Sequence, residues 1–186
     1  MYFLSKFLLK FFGWTFESCE PILNKCVLIA APHTSNWDFP MMLAYGFEQK
    51  LNYCWLGKHT LFIGPMGTFM RRLGGIPVDR SKKNDYVSTL SEEIMAKDSC
   101  ILIIPPEGTR SRSEYWKSGF LHIARKANVP IVFGRLDYKK KNLTFSKHIS
   151  ACLSDKEIMS YAQKFYHDVT GFNPTNFGPV RLKPKT

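Results

Sequence analysis

Short apolar runs alternate along the chain with stretches whose apolar residues recur at helical spacing. Cys26-Val27-Leu28-Ile29-Ala30, Leu51-Asn52-Tyr53-Cys54-Trp55-Leu56 and Cys100-Ile101-Leu102-Ile103-Ile104 read as strands, the first and last as buried ones. Residues 130–136 and 143–149 extend the series. Between them, Phe39 to Tyr45 begins an apolar helix. Residues 84–97 place Tyr86, Val87, Leu90, Ile94 and Met95 on a helical stripe. Residues 114–127 do the same with Phe120, Leu121, Ile123 and Ala124, and residues 154–168 with Ile158, Met159, Tyr161, Ala162 and Phe165. The tail from Gly171, rich in Pro, Asn and Gly, is expected to be irregular. Alternation of this kind predicts an α/β fold: a single layered domain with a mixed, largely parallel sheet flanked by helices.

The first sixteen residues break the pattern. Tyr2, Phe3, Leu4, Phe7, Leu8, Leu9, Phe11, Phe12, Trp14 and Phe16 crowd a segment in which Lys6 and Lys10 share one helical face. A spanning helix needs about 20 apolar residues, and this stretch is shorter and interrupted by charge. It has neither the unbroken apolar region nor the small-residue cleavage site of a signal peptide. An amphipathic helix lying in a bilayer interface fits, with the lysines toward phosphates. A core-packing helix is the plainer alternative. The expected division is therefore 1–20, an N-terminal interfacial membrane helix, and 21–186, the α/β domain, with the break near residues 17–24. The expected location is the cytoplasmic face of a membrane, peripheral or monotopic.

Composition narrows the partner. In 186 residues, 26 Lys and Arg against 15 acids give a formal charge of +11. That balance favours an anionic partner: lipid headgroups, phosphorylated metabolites, coenzyme A or nucleic acid. Nucleic acid is the weakest of these, because the charge is spread out and no helix-turn-helix, RNP or zinc pattern occurs. The cysteines at 19, 26, 54, 100 and 152 are scattered without a C-x-x-C pair, which points to reduced thiols and no metal site.

Two strand ends carry candidate chemistry. After the run at 26–30 comes Ala31-Pro32-His33-Thr34-Ser35-Asn36-Trp37-Asp38. A neutral imidazole takes a proton near pH 7, and a carboxylate can fix its tautomer and steady the imidazolium. On one regular helix, residues five apart point about 140° away from each other. His33 and Asp38 meet only if the chain turns between them, and Thr34, Ser35 and Asn36 are turn and N-cap formers. After the run at 100–104 comes Pro105-Pro106-Glu107-Gly108-Thr109-Arg110. A guanidinium and a Gly-flanked turn at a strand end suit an anionic oxygen.

With these residues the chain resembles the glycerophospholipid acyltransferase family, the 1-acylglycerol-3-phosphate acyltransferase (PlsC-like) group. Four blocks match in order: H-x-x-x-x-D at His33 to Asp38, G-x-x-x-x-R at Gly75 to Arg80, E-G-T-R at Glu107 to Arg110, and Val129-Pro130-Ile131-Val132. Pro32 stands where Asn is common in the family, and Pro77 where an aromatic or aliphatic residue is usual. The resemblance implies transfer of a fatty acyl group from acyl-CoA or acyl carrier protein to a lysophospholipid hydroxyl, by direct attack and without a further cofactor. The most natural case is 1-acylglycerol-3-phosphate giving phosphatidic acid, a step of phospholipid biosynthesis. Glycerol 3-phosphate, another lysolipid or a non-catalytic lipid or nucleic-acid binding module are the alternatives. By the same resemblance His33 is the base and Asp38 its orienting partner. Arg80, Arg110 and Lys58 contact the acceptor phosphate, and Glu107, Gly108 and Thr109 complete the acceptor site. Phe62, Ile63, Met66, Phe69 and Met70 line an acyl groove or belong to the core.

Overall fold

In the computed structural model, residues 2–78 and 86–184 are described. Seven strands form one sheet in the order β1-β7-β6-β2-β5-β3-β4. They are β1 (Thr15–Ser18), β2 (Lys25–Ala31), β3 (Tyr53–Lys58), β4 (Gly75–Val78), β5 (Cys100–Ile104), β6 (Ile131–Asp137) and β7 (Asn142–Phe145). Every neighbouring pair is parallel except β6 and β7. The exception has a local cause. Residues 138–141 are too few for a crossover, so the chain must double back. The buried Asp137 holds that turn by accepting the backbone N–H groups of Lys139 and Lys140 at 3.0 and 3.1 Å.

The helices are α1 (Tyr2–Phe11), α2 (Asp38–Glu48), α3 (Gly64–Arg72), α4 (Tyr86–Ala96), α5 (Gly119–Ala127) and α6 (Asp155–Phe165). Handedness sorts them into layers. The connection from β2 to β3 moves one way along the sheet, and that from β5 to β6 moves the other way. Both are right-handed crossovers only if α2 and α5 lie on opposite faces. They do. Leu9, Tyr45 and Phe62 pack with Cys26, Leu28, Trp55, Ile101 and Ile103 on one face. Leu90, Ile94, Phe120, Ile123, Ile158 and Ala162 pack with Val27, Ile29, Leu102 and Phe133 on the other. The runs at β2 and β5 look continuously apolar because successive residues feed two cores.

The expected α/β class and mixed, mostly parallel sheet are present; several boundaries differ. The helix expected at 114–127 begins only at Gly119, because Trp116 and Lys117 donate their backbone N–H groups to Arg181 and Pro106 instead. The strand at 51–56 is displaced to Tyr53–Lys58, which carries Lys58 to a strand end. α1 is ten residues long, and the segment after it supplies β1, a four-residue strand that is exposed except for the half-buried Phe16 and too short to show apolar alternation. Among the described residues no helix is long and apolar enough to cross a membrane. All five cysteines are free.

One turn shows how tightly the edge is built. Gly74 ends α3 at φ +81°, and a Cβ there would lie 1.9 Å from the Tyr53 carbonyl oxygen. Its own carbonyl accepts Trp55 N–H at 3.0 Å and opens the β3–β4 ladder. Gly74→Ala is therefore expected to lower unfolding free energy by at least about 2 kcal/mol, from left-handed backbone strain plus the clash. Urea unfolding of the two proteins checks this.

Candidate active site

The site forms where β2 and β5, neighbours in the sheet, send their connections to opposite faces. Such a parting leaves a crevice beyond the carboxyl ends of the strands. The segment after β2 turns at Thr34 to Trp37 and enters α2 at Asp38. That turn satisfies the geometric condition: His33 Nδ1 lies 3.1 Å from Asp38 Oδ2. The same oxygen accepts the backbone N–H groups of Thr34 at 2.8 Å and Ser35 at 2.9 Å. Asp38 thus serves as ligand to its own loop and as partner to the imidazole. Its second oxygen, Oδ1, accepts the Tyr138 hydroxyl at 2.9 Å. The Asp38 side chain is 9% exposed and that of His33 26%. With Nδ1–H donating to the carboxylate, Nε2 is the basic nitrogen.

The turn after β5 reaches the same loop. The buried Glu107 accepts the backbone N–H of His33 through Oε1 at 3.1 Å. Oε2 is buried with no hydrogen-bond partner among the described residues. Burial pushes the Glu107 carboxyl up from 4.5 to about 7, against the opposing pull of the His33 and Glu107 backbone N–H groups. The nearby Asp38 charge pushes the same way as burial. Glu107 is thus anchored under the His33 loop rather than displayed at the surface. Gly108 takes φ +67° and lets the chain turn, while Thr109 and Arg110 are exposed beyond it. Lys58 is exposed at the carboxyl end of β3, the strand beside β5. Arg80, in the second block, lies outside the described residues.

Three contributions were not read from the sequence. Tyr138 follows β6 directly, at a strand end of the kind that gathers chemistry, but only the order of strands in the sheet puts it beside Asp38. Lys117 packs its stem within 3.5 Å of where a Gly108 Cβ would lie, placing another exposed cation beside the E-G-T-R turn. The irregular tail gives the third. Asn173 donates its backbone N–H to Thr34 Oγ1 at 3.1 Å and its side-chain amide to Thr34 O at 2.8 Å. Gly171 packs so closely that a Cβ would meet Thr34 Oγ1 at 2.8 Å. No periodicity in the tail announces these contacts.

A model of the acyltransferase family matches residues 14–132, well over half of the chain. The chain belongs to the acyltransferase family. It is 28% identical over 113 residues to the 1-acyl-sn-glycerol-3-phosphate acyltransferase of Streptococcus pneumoniae, a match covering 60% of this chain and 42% of that protein. It is 30% identical over 120 residues to the enzyme of the same name from Saccharomyces cerevisiae, covering 61% of this chain and 39% of that one. These matches therefore span less than half the length of either relative. The fold is similar to that of the crystallised 1-acyl-sn-glycerophosphate (LPA) acyltransferase, PlsC, from Thermotoga maritima. The TM-score is 0.56 at 16% identity, covering 87% of this chain and 73% of the other. Within this acyltransferase domain, the matched segment contains both the His33–Asp38 pair and the Glu107 turn.

Glu107 makes stability depend on pH in a defined direction. Below its ordinary value of 4.5 the carboxyl is protonated whether the chain is folded or not, and between 4.5 and about 7 only the folded chain keeps the proton. Stability therefore falls as pH rises through that window, by roughly 3 kcal/mol in total. Glu107→Gln keeps the Oε1 acceptor and stays neutral. Its unfolding free energy should gain on the parent by about that amount between pH 4.5 and 8. Parallel stability curves for the two proteins would contradict the buried, proton-holding carboxyl.

Proposed function

We propose that this protein is an O-acyltransferase that moves a fatty acyl group from a thioester, acyl-CoA or acyl carrier protein, to the free hydroxyl of a lysophospholipid. The acceptor we infer is 1-acylglycerol-3-phosphate, with phosphatidic acid as product, as the names of the relatives suggest. The observation that carries the reading is the 3.1 Å contact of His33 Nδ1 with a carboxylate oxygen that also accepts two backbone N–H groups of its own loop. A lipid-binding module has no use for such a pair.

In this mechanism His33 Nε2 takes the hydroxyl proton as the acceptor oxygen attacks the thioester carbonyl. Asp38 holds the tautomer and stabilises the imidazolium. The tetrahedral oxyanion then collapses, the carbon–sulfur bond breaks, and the imidazolium returns its proton to the thiolate. The protein forms no covalent intermediate, and no cofactor beyond the thioester is used. Lys58, Arg110, Arg80 and Lys117 supply cations for the acceptor phosphate or the donor's phosphates. Gly108 and Thr109 shape the turn that presents Arg110 beside Lys117, and Glu107 holds the His33 loop from below.

The membrane reading rests on one face of the molecule. α1 turns Ser5 and Leu9 into the protein and leaves Phe3, Phe7 and Phe11 at 83%, 64% and 72% exposure, with Lys6 and Lys10 also exposed. Trp37, inside the first box, is exposed, as are Ile63, Met66 and Phe69 of the α3 region, while Phe62 is buried and Met70 partly so. α1, α2 and α3 cover the same side of the sheet, so these exposed aromatic and aliphatic side chains and the cations Lys6 and Lys10 all belong to that side. That chemistry suits an anionic phospholipid surface, at which the acceptor resides.

His33→Ala should fold normally and lose about 10²–10⁴-fold in acyl transfer, followed as lysolipid-dependent thiol release. Near-normal release would exclude His33 as the base. Replacing Phe3, Phe7 and Phe11 together by Ser, which spares the buried Leu9, should reduce sedimentation with phosphatidylglycerol liposomes while leaving thiol release on a short-chain soluble acceptor. Unchanged sedimentation would remove α1 from the docking face.

A further inference from the structure

Tyr138 lies in the β6–β7 turn, outside the four motif blocks, yet it touches the His33–Asp38 pair directly. Three donors converge on Asp38 Oδ2: His33 Nδ1 and the backbone N–H groups of Thr34 and Ser35. Among the described residues the donor to Oδ1 is the Tyr138 hydroxyl, at 2.9 Å. Contacts to one oxygen leave the carboxylate plane free to rock, and a bond to the other oxygen sets it. The plane determines how a lone pair of Oδ2 meets Nδ1.

The tyrosine ring is itself clamped. Trp14 meets it edge-on at 5.2 Å and 89°, and Phe172 does so at 5.2 Å and 82°. Its backbone N–H donates to Thr170 O at 2.9 Å. The same turn grips the end of α1: Lys141 Nζ donates to Phe12 O at 3.2 Å, and Thr15 N–H to Lys141 O at 2.9 Å. Trp14 N–H in turn closes onto Leu9 O of α1 at 2.8 Å.

We propose that Tyr138 is a positioning residue for Asp38, held by Trp14 and Phe172, and that it links the exposed N-terminal helix to the orientation of His33. The proposal rests on His33 being the base. The titratable groups that act on Asp38 come from three elements: His33 in its own loop, Glu107 after β5 and Tyr138 after β6. Burial, with Asp38 adding to it, holds the Tyr138 phenol far above its ordinary value, so it remains a donor across the working pH range. By sharing the carboxylate's charge, that donor weakens the hold of Asp38 on the His33 proton.

Tyr138→Phe keeps the ring stack and removes the donor. Its kcat should fall about ten- to hundredfold, the rate equivalent of one hydrogen bond to a charged group, with KM for both substrates little changed. The acid limb of its kcat/KM profile should move to higher pH, because Asp38 then holds the His33 proton more firmly. In an Asp38→Asn background the same change should cost almost nothing further. Trp14→Leu, which keeps the hydroxyl but loosens the ring, should give a smaller loss with the same unchanged KM. A Tyr138→Phe enzyme with the parent's kcat and acid limb would overturn the proposal, as would a loss of equal size with and without Asp38. An Asp38→Asn enzyme as active as the parent would instead overturn the assignment of the base, and the proposal with it.

Discussion

Much of the site hangs on the carboxylate of Asp38. One oxygen gathers an imidazole and two backbone N–H groups, and the other takes a phenol. A buried carboxylate is costly unless its lone pairs are filled, and here the filling is also what shapes the loop. The turn from β2 into α2 folds around its own side chain, so His33 is held by the same interaction that closes the turn. A change at Asp38 therefore disturbs both the loop and the tautomer. Glu107 supports the arrangement differently. It grips the His33 backbone from a dry site that raises its carboxyl to about 7.

The sheet supplies the meeting place. Parallel strands put all their carboxyl ends on one edge, and right-handed crossovers send α2 and α5 to opposite faces. The loops after β2 and β5 consequently part, and the two motif blocks face each other although 74 residues separate His33 from Glu107. The antiparallel β7 adds a different element. Its tight turn with β6 lies at the same edge and carries Tyr138, and the tail residues Gly171 and Asn173 close over Thr34 there.

The two faces of the sheet are used unequally. The α4–α5–α6 side packs a continuous apolar cluster. The α1–α2–α3 side packs its own core beneath the helices but leaves aromatic and aliphatic side chains exposed, Trp37 of the His33 loop among them.

The class of fold was legible because apolar runs and helical stripes depend on local burial alone, and these survive in any window of the chain. The motif residues were legible for a related reason: a His and an Asp joined by turn formers after a buried strand can meet through local geometry. What only the tertiary structure decided is every relation between distant segments. In the sequence Glu107 is one acid of the E-G-T-R block; its Oε1 contact with the backbone of His33, 74 residues away, exists only in the fold. The start of α5 at Gly119 follows from hydrogen bonds that Trp116 and Lys117 make to remote carbonyls, which no helical stripe encodes. β1 is too short and too exposed to carry a pattern, and it exists because β7 offers it a parallel edge. Tyr138 is an ordinary aromatic in the sequence; the sheet order, which sets β6 beside β2, brings its hydroxyl to Asp38. Periodicity records how a residue is buried, and partnership across the sheet is settled only when the strands have chosen their neighbours.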